Sequence, residues 1–517
     1  MNILHNASRR LFLRQSAAMT AVVGSAAPLA LNLAALSSAS AQSANDYRAI
    51  VCVFLYGGND SFNMVLPTDA ASWNAYSTTR TQAPDPIALL VAGTVPNPAA
   101  AAGSPARLGG VLPISALNPQ GRGFALHPLL GAVKQLFDVD KRLAILPNVG
   151  PLITPLTKAQ YGLDAFPKPL RLFSHNDQQN TWQALGPEGT TRGWGGRIGD
   201  ILAPSNARSL FTAITAGGNA VFLDGDVVRQ YGVSTTGAVP LGVDSTGKLY
   251  GSADVGTALQ QLVTTTRTSH PFDADLAAVA GRAISAEQVL RTALRAPSDP
   301  LFGTAPATGA YNAANDPKLR YVNPLTGLDA ANGLAQQFQV VARLIDAGKR
   351  GASGAKRQVF FVSLGGFDTH DFQNRNQAVL MAQLAQGLKY FDSTLLGLGA
   401  LNQVTTFTAS DFGRTFTSNG DGTDHGWGSH HFVMGGAVKG GDLYGAFPIL
   451  GLKNAANNNF DSSADQLGNG SLLPKTSVDQ LGATLANWFG ISKADAMTIF
   501  PNLANFPLAQ RNLGFFA

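Results

Sequence analysis

Three aspartates each stand just beyond an apolar run and a small-residue turn. They are Asp60 in Gly57-Gly58-Asn59-Asp60, Asp368 in Gly365-Gly366-Phe367-Asp368, and Asp411 in Ser410-Asp411-Phe412-Gly413. Of the eight histidines, His370 follows Asp368 by two positions and His425 lies in Thr423-Asp424-His425-Gly426-Trp427-Gly428. Side chains two apart on extended backbone point the same way, so Asp368 and His370 can address one ligand. Carboxylates with imidazoles, and no thiolate, suit Zn, Mn or Fe, and a mostly oxygen shell also admits Mg or Ca. Taken singly, an aspartate after a glycine turn commonly bonds its own backbone, and a histidine in a Gly/Trp loop is structural. The joint pattern of Asp60, Asp368, His370, Asp411 and His425 makes a candidate site for one or two divalent ions. His430 and His431 adjoin a strand start and suit surface or supporting roles, while His127 precedes Pro128 at a helix entry. Gly413–Gly428 lacks the glycine-lysine-Ser/Thr ending of a phosphate loop.

These residues need elements that carry them to one place. Tyr47–Tyr56, Val359–Leu364 and Val404–Ala409 are continuous apolar runs, as strands buried on both faces should be. Each ends in one of the aspartate turns. Pro128–Phe137, with helix-spaced Leu129, Leu130, Val133 and Phe137, followed by Leu143–Leu146, adds a helix and another strand. Strand, helix and strand in this order indicate a parallel sheet. Amphipathic helices are expected at Leu334–Ala347 and from Gln377 to Leu396. Ser477-Val478-Asp479-Gln480 has the form of a capping box, and Gly490 suits a left-handed stop. Ala220–Leu223 resembles a short strand within residues 205–330, which read as an insertion or lid. In open α/β sheets ligands bind beyond the carboxyl ends of the strands, where the three aspartates would converge.

The N-terminus bounds the compartment. Ser8-Arg9-Arg10-Leu11-Phe12-Leu13-Arg14, an uncharged stretch to Leu36, and Ala39-Ser40-Ala41 form a secretory signal. Its paired arginine points to the twin-arginine translocase. Cleavage before Gln42 makes residues 42–517 the working chain, periplasmic or secreted, with no stable membrane span. Losing Arg9, Arg10 and Arg14 removes three positive charges from a net +5 and leaves +2. No Lys/Arg stripe with interleaved aromatics appears, which argues against a nucleic-acid partner. The single cysteine, Cys52, lies in an apolar run, so no internal disulfide can form and stability must come from a large core.

Four segments carry a wider resemblance: GGNDSFNMVLP (57–67), SHNDQQNTWQ (174–183), GGFDTHDFQ (365–373) and ASDFGRTFTSNGDGTDHGWGSHHFVMGGAVKGG (409–441). With SVDQLGATLANWFG (477–490) and IFPNL (499–503), they resemble a large bacterial family of twin-arginine-exported proteins. That family has long carried only a domain-of-unknown-function label and is grouped with the alkaline phosphatase and sulfatase superfamily. The resemblance implies a three-layer α/β/α sandwich, two metal ions and a nucleophile at a helix N-terminus. It implies metal ligation by Asp60, Asp368, His370, Asp411 and His425. Phe412 stands where the superfamily pattern has a histidine, which leaves the second metal site incomplete. Ser174, ahead of a helix through Gln178–Leu185, matches the nucleophile, with Thr181 as the alternative. Arg192 or Arg414 would steady the anion. The function expected is hydrolysis of an anionic phosphate or sulfate ester by an exported metalloenzyme. The rival is a binding or scaffold protein that keeps the fold.

Overall fold

The computed structural model describes residues 46–516, apart from 239–242, 245 and 458. The export signal over residues 1–41, with Arg9, Arg10 and the cleavage point before Gln42, lies outside the described residues.

One sheet of eight strands organises the chain. In sequence they are β1 (Arg48–Tyr56), β2 (Leu143–Gly150), β3 (Ala213–Thr215), β4 (Tyr231–Gly232), β5 (Arg357–Gly365), β6 (Val404–Ser410), β7 (Ser429–Met434) and β8 (Thr476–Ser477). In space the order is β8-β2-β7-β6-β1-β5-β3-β4. Every pairing is parallel except the two made by β7, which runs against β6 and β2. The longer helices are α1 (Ala70–Thr79), α2 (Gly131–Asp138), α3 (His175–Ala184), α4 (Trp194–Leu202), α5 (Ala253–Thr264), α6 (Pro271–Ala293), α7 (Gly333–Lys349), α8 (Gln373–Gly397) and α9 (Val478–Phe489).

Period-two alternation along β1 divides the interior. Ala49, Val51, Val53 and Leu55 join one core with residues of α2, α7 and α8. Ile50, Cys52 and Phe54 join another with Trp182 of α3, Ile198 of α4 and Leu481 of α9. Helices therefore cover both faces of a mostly parallel sheet, which is the expected three-layer α/β/α sandwich. Two-sided burial explains why β1 reads as an unbroken apolar run. Each fully buried Leu, Val or Phe contributes about 1.5–3 kcal/mol, so the strand is held firmly up to its last residue. Burial also pushes the Cys52 thiol well above its ordinary value. No helix among the described residues is long and apolar enough to cross a membrane.

Local expectations fare unevenly. The capping box at Ser477 is formed, and Gly490 stops α9 in the left-handed region. Ala220–Leu223 is not a strand: Val221–Leu223 closes a single 3-10 turn. Phe222 there packs on Trp194 of α4, with ring centres 4.6 Å apart. The segment 205–330 supplies β3 and β4 at the sheet edge as well as α5 and α6.

Register brings the chemistry together. Tyr56 of β1 pairs with Gly365 of β5, and Leu55 pairs with Ser410 of β6. Both flanking strands thus end beside the Gly57-Gly58 turn. A Cβ on Gly57 would lie 2.3 Å from the Asp368 nitrogen, and one on Gly58 would lie 2.4 Å from the Phe412 ring. Both glycines also have positive φ, +112° and +80°, which side chains disfavour. The paired glycine is what lets the three loops touch.

Candidate metal centre

The three strand-end aspartates reach different surroundings. Asp60, beyond β1, is 2% exposed and accepts from the Phe62 N–H at 3.2 Å. The guanidinium of Arg80, which follows α1, grips both its oxygens, at 2.6 and 3.0 Å. Gln373, the first residue of α8, donates to the same carboxylate. Arg80 is itself fully enclosed and donates further to the carbonyls of Phe416 and Thr415. A buried ion pair holds only when both partners are well bonded, and this one is.

Asp411, beyond β6, is fully buried. Its Oδ1 accepts the Gly57 N–H at 3.1 Å. Its Oδ2 lies 2.7 Å from His175 Nδ1 and 2.7 Å from the Gln179 amide. His175 and Gln179 are four apart on α3, hence on one face of the helix.

Asp368, beyond β5, keeps 48% of its side chain exposed. Around its Oδ1 stand three imidazole nitrogens: His370 Nε2 at 3.2 Å, His175 Nε2 at 3.4 Å and His425 Nε2 at 3.6 Å. The Nε2 atoms of His370 and His425 are 2.9 Å apart. One ligand atom each from His175, Asp368 and His425 lies within 4.8 Å of the others. Arg414, fully buried, reaches the same Asp368 Oδ1, faces His370 Nε2 at 3.4 Å, and donates to the carbonyls of Gly57, Gly58, Phe367 and Thr423. It stitches the three loops together.

The outer bonds set which face each ring presents. Oxygen acceptors oblige a neutral imidazole to donate through Nδ1 and leave its lone pair on Nε2. The Phe173 carbonyl does this for His425 at 2.6 Å, and Asp411 does it for His175. Asp424 faces His370 Nδ1 at 3.4 Å. His175 Nε2 is buried without a hydrogen-bond partner. Such rings, steadied by a carboxylate or carbonyl, have the support that metal-ligating histidines carry, so the residues present fit a divalent ion. The hydrogen bond to Asp411 raises the His175 pKa against the opposing effect of burial. Burial lowers that of His425, and the Phe173 carbonyl offsets it only partly. For Asp368 burial pushes upward, yet Arg414 beside it holds the carboxyl below its usual range.

Phe412, in the position where a histidine was expected, is buried against these rings. Its centre lies 4.7 Å from that of His175 and 4.6 Å from that of His425. It is a floor under both, with no donor atom to offer.

Ser174 is the N-cap residue of α3, but its hydroxyl does not accept a helix N–H; it donates to Asp177 Oδ2 at 2.8 Å. Thr181 is turned inward, donating to the Asp177 carbonyl at 2.7 Å. Arg192 is paired with Asp226 at 3.0 Å on the surface. His430 and His431 do not sit at the surface: both are sealed within β7, because the strand lies between β2 and β6 in the sheet.

His175, Arg80, Gln179 and Gln373 were given no role by the sequence. For His175 a signal existed: it is the first residue of the helix assigned to the nucleophile's neighbourhood. For Arg80 none did, because nothing in Thr78-Thr79-Arg80-Thr81 indicates an internal partner.

The family described as "Protein of unknown function (DUF1501)" matches residues 47–491. No curated protein matches the chain. Among solved structures, it overlaps Ps i-CgsB in complex with k-i-k-neocarrahexaose at 9% identity, over 91% of this chain and 78% of that one, with a TM-score of 0.32. It overlaps BT1596, a 2-O GAG sulfatase, at 10% identity over 87% and 71%, with a TM-score of 0.27. Alkaline phosphatase from the Antarctic bacterium TAB5 overlaps at 7% identity over 75% and 92%, with a TM-score of 0.24. Overlaps this slight leave the chemistry to be argued from the site itself.

Proposed function

For a chain that belongs to the DUF1501 family of unknown function, we propose an exported, metal-dependent hydrolase of phosphate or sulfate esters, with the strand-end cleft as its catalytic centre. One observation carries the reading: three imidazole Nε2 atoms surround a single half-exposed carboxylate oxygen, on Asp368. His175, Asp368, His370 and His425 would hold the ion. When bound, it supplies positive charge that polarises an ester oxygen and favours ionisation of an attacking group.

The chain's own groups do the rest. Asp411 and the Phe173 carbonyl keep two rings turned inward, and Arg414 keeps Asp368 ionised. Ser174 stands at the start of α3, a helix of 10 residues whose first N–H groups its side chain leaves uncapped. Such a terminus favours an anionic group. Asp177 Oδ2 is placed to accept the Ser174 proton as the serine oxygen bonds to phosphorus or sulfur. The bond from that atom to the ester's alcohol oxygen breaks, and the alkoxide leaves and takes a proton from water.

The test combines elemental analysis with a panel of aryl phosphates, phosphodiesters and sulfates. Turnover that requires a bound divalent ion, and that drops about 10³-fold in Ser174→Ala with the ion retained, supports the reading. A second reading, a binding protein on the same fold, draws on Arg414: its donors already face carbonyls and Asp368, leaving little for a substrate anion. Bound metal without turnover across the whole panel would put that reading first. Export is tested separately: Arg9→Lys with Arg10→Lys should leave precursor in the cytoplasm if the translocase reads the pair.

A further inference from the structure

We infer that the cleft takes one divalent ion rather than two, and one of the nitrogen-preferring class such as Zn²⁺. The inference rests on the metal-dependent reading above and narrows it. Three carboxylates arrive at the strand ends, but only Asp368, half exposed and with Oδ1 on Arg414, has a second oxygen, Oδ2, left over. Asp60 has both oxygens in the Arg80 fork, with Gln373 as a further donor. Asp411 has Oδ1 on the Gly57 N–H and Oδ2 shared by His175 and Gln179. A two-metal clamp needs two ligand sets that hold their ions about 3.5–4 Å apart. Subtracting the engaged oxygens leaves Asp368 Oδ2 and three imidazole nitrogens, of which His370 Nε2 also faces Arg414 at 3.4 Å.

Three of these groups, on His175, Asp368 and His425, have ligand atoms within 4.8 Å of one another. That is the ligand number of one catalytic ion with its fourth position open, and the set is nitrogen-rich. Mg²⁺ and Ca²⁺ take mostly oxygen shells of six or more. Charge points the same way. Arg80 takes both oxygens of Asp60, whereas Arg414 takes one of Asp368, so a second cation at Asp60 would meet a buried guanidinium and no free oxygen. Asp60 thus anchors the loop, Asp411 orients His175, and Asp368 alone faces the ion.

The experiment counts ions. The mature protein is dialysed against Zn²⁺ or, separately, Mg²⁺ and weighed by native mass spectrometry. One Zn²⁺ per chain and no retained Mg²⁺ is the expected result. Because Asp60→Asn strands a buried arginine and can fail to fold, the companion variant is Asp60→Leu with Arg80→Met, which removes both charges and should still bind one Zn²⁺. Asp411→Asn should also bind one, with affinity reduced about 10- to 100-fold, as for a group that orients a ligand. Two ions per chain in the wild type, falling to one in the Asp60 variants, would overturn the inference while leaving the hydrolase reading intact. No ion at all would remove that reading, and this inference with it.

Discussion

Histidines in two regions of this molecule are alike in chemistry and opposite in use. In the cleft, His175 and His425 donate through Nδ1 to an oxygen, so Nε2 presents a lone pair. In the sheet interior His430 Nδ1 instead accepts the Asn148 N–H at 3.0 Å, and at a helix entry His127 Nδ1 accepts that of Leu129 at 3.2 Å. Their hydrogens therefore sit on Nε2. Aromatic packing does not separate the two groups: His430 lies 4.6 Å from Phe447 and His431 4.8 Å from Trp182, ring to ring, much as His175 and His425 lie against Phe412. For four of these rings the atom opposite Nδ1 matches the use: an oxygen readies His175 and His425 for a cation, and a backbone N–H ties His127 and His430 into the core. His431, whose Nδ1 faces the Thr408 hydroxyl at 3.3 Å, is kept from that use by full burial.

The strongest challenge to this contrast is to delete one ring from each region. His425→Ala or His175→Ala should leave no ion after dialysis, by elemental analysis, whereas His431→Phe should keep it. Ion retained in both cleft variants would erase the distinction.

Acid should act next, and on the sealed group. Burial depresses the pKa values of His127, His430 and His431 to about 3 from 6.5. The unfolded chain then binds more protons than the folded one between those values. Stability is accordingly full above pH 6.5 and is lost as pH falls toward 3. Thermal midpoints of chelated protein from pH 7 to 4 isolate this from metal loss. A flat profile would mean that the three rings are not sealed.

Chelation at neutral pH should touch only the cleft. An ion present at 100 times its dissociation constant stabilises by about 2.7 kcal/mol, so EDTA should lower the melting temperature and Zn²⁺ restore it. The same treatment should have no effect on His175→Ala. The smallest effect belongs to exposed His270, whose Nδ1 caps α6 through the Phe272 N–H at 3.3 Å. His270→Ala should reduce stability by about 0.5–1 kcal/mol and leave metal content unchanged.

The strands that build the cleft were plain in the sequence, because burial on both faces writes an uninterrupted apolar run. Val404–Ala409, for instance, was found within one residue of β6. The aspartates at their ends were equally visible. Their partners were not. Asp60 meets Arg80 across a loop and a helix, and Asp411 meets His175 across 236 positions of sequence. Such pairings follow from register and helix placement, which leave no local periodicity. The same gap explains His430 and His431: two adjacent polar residues suggest exposure, and only the neighbours of β7 show them enclosed. Ala220–Leu223 failed for a related reason, since four apolar residues satisfy a strand and a packed turn alike.

The topology of the sheet also bears on when this protein can acquire its shape. β1 emerges early, yet its two neighbours are residues 357–365 and 404–410. β2 waits even longer, for β7 and β8. Contacts so distant in sequence close slowly, because a long loop must be ordered before they repay it. A ribosome releasing the first two-thirds of the chain therefore exposes β1, an apolar strand without a neighbour, and such a strand invites aggregation. Folding of the central sheet is a property of the finished chain, and a truncation anywhere before residue 434 should yield insoluble material rather than a smaller working unit.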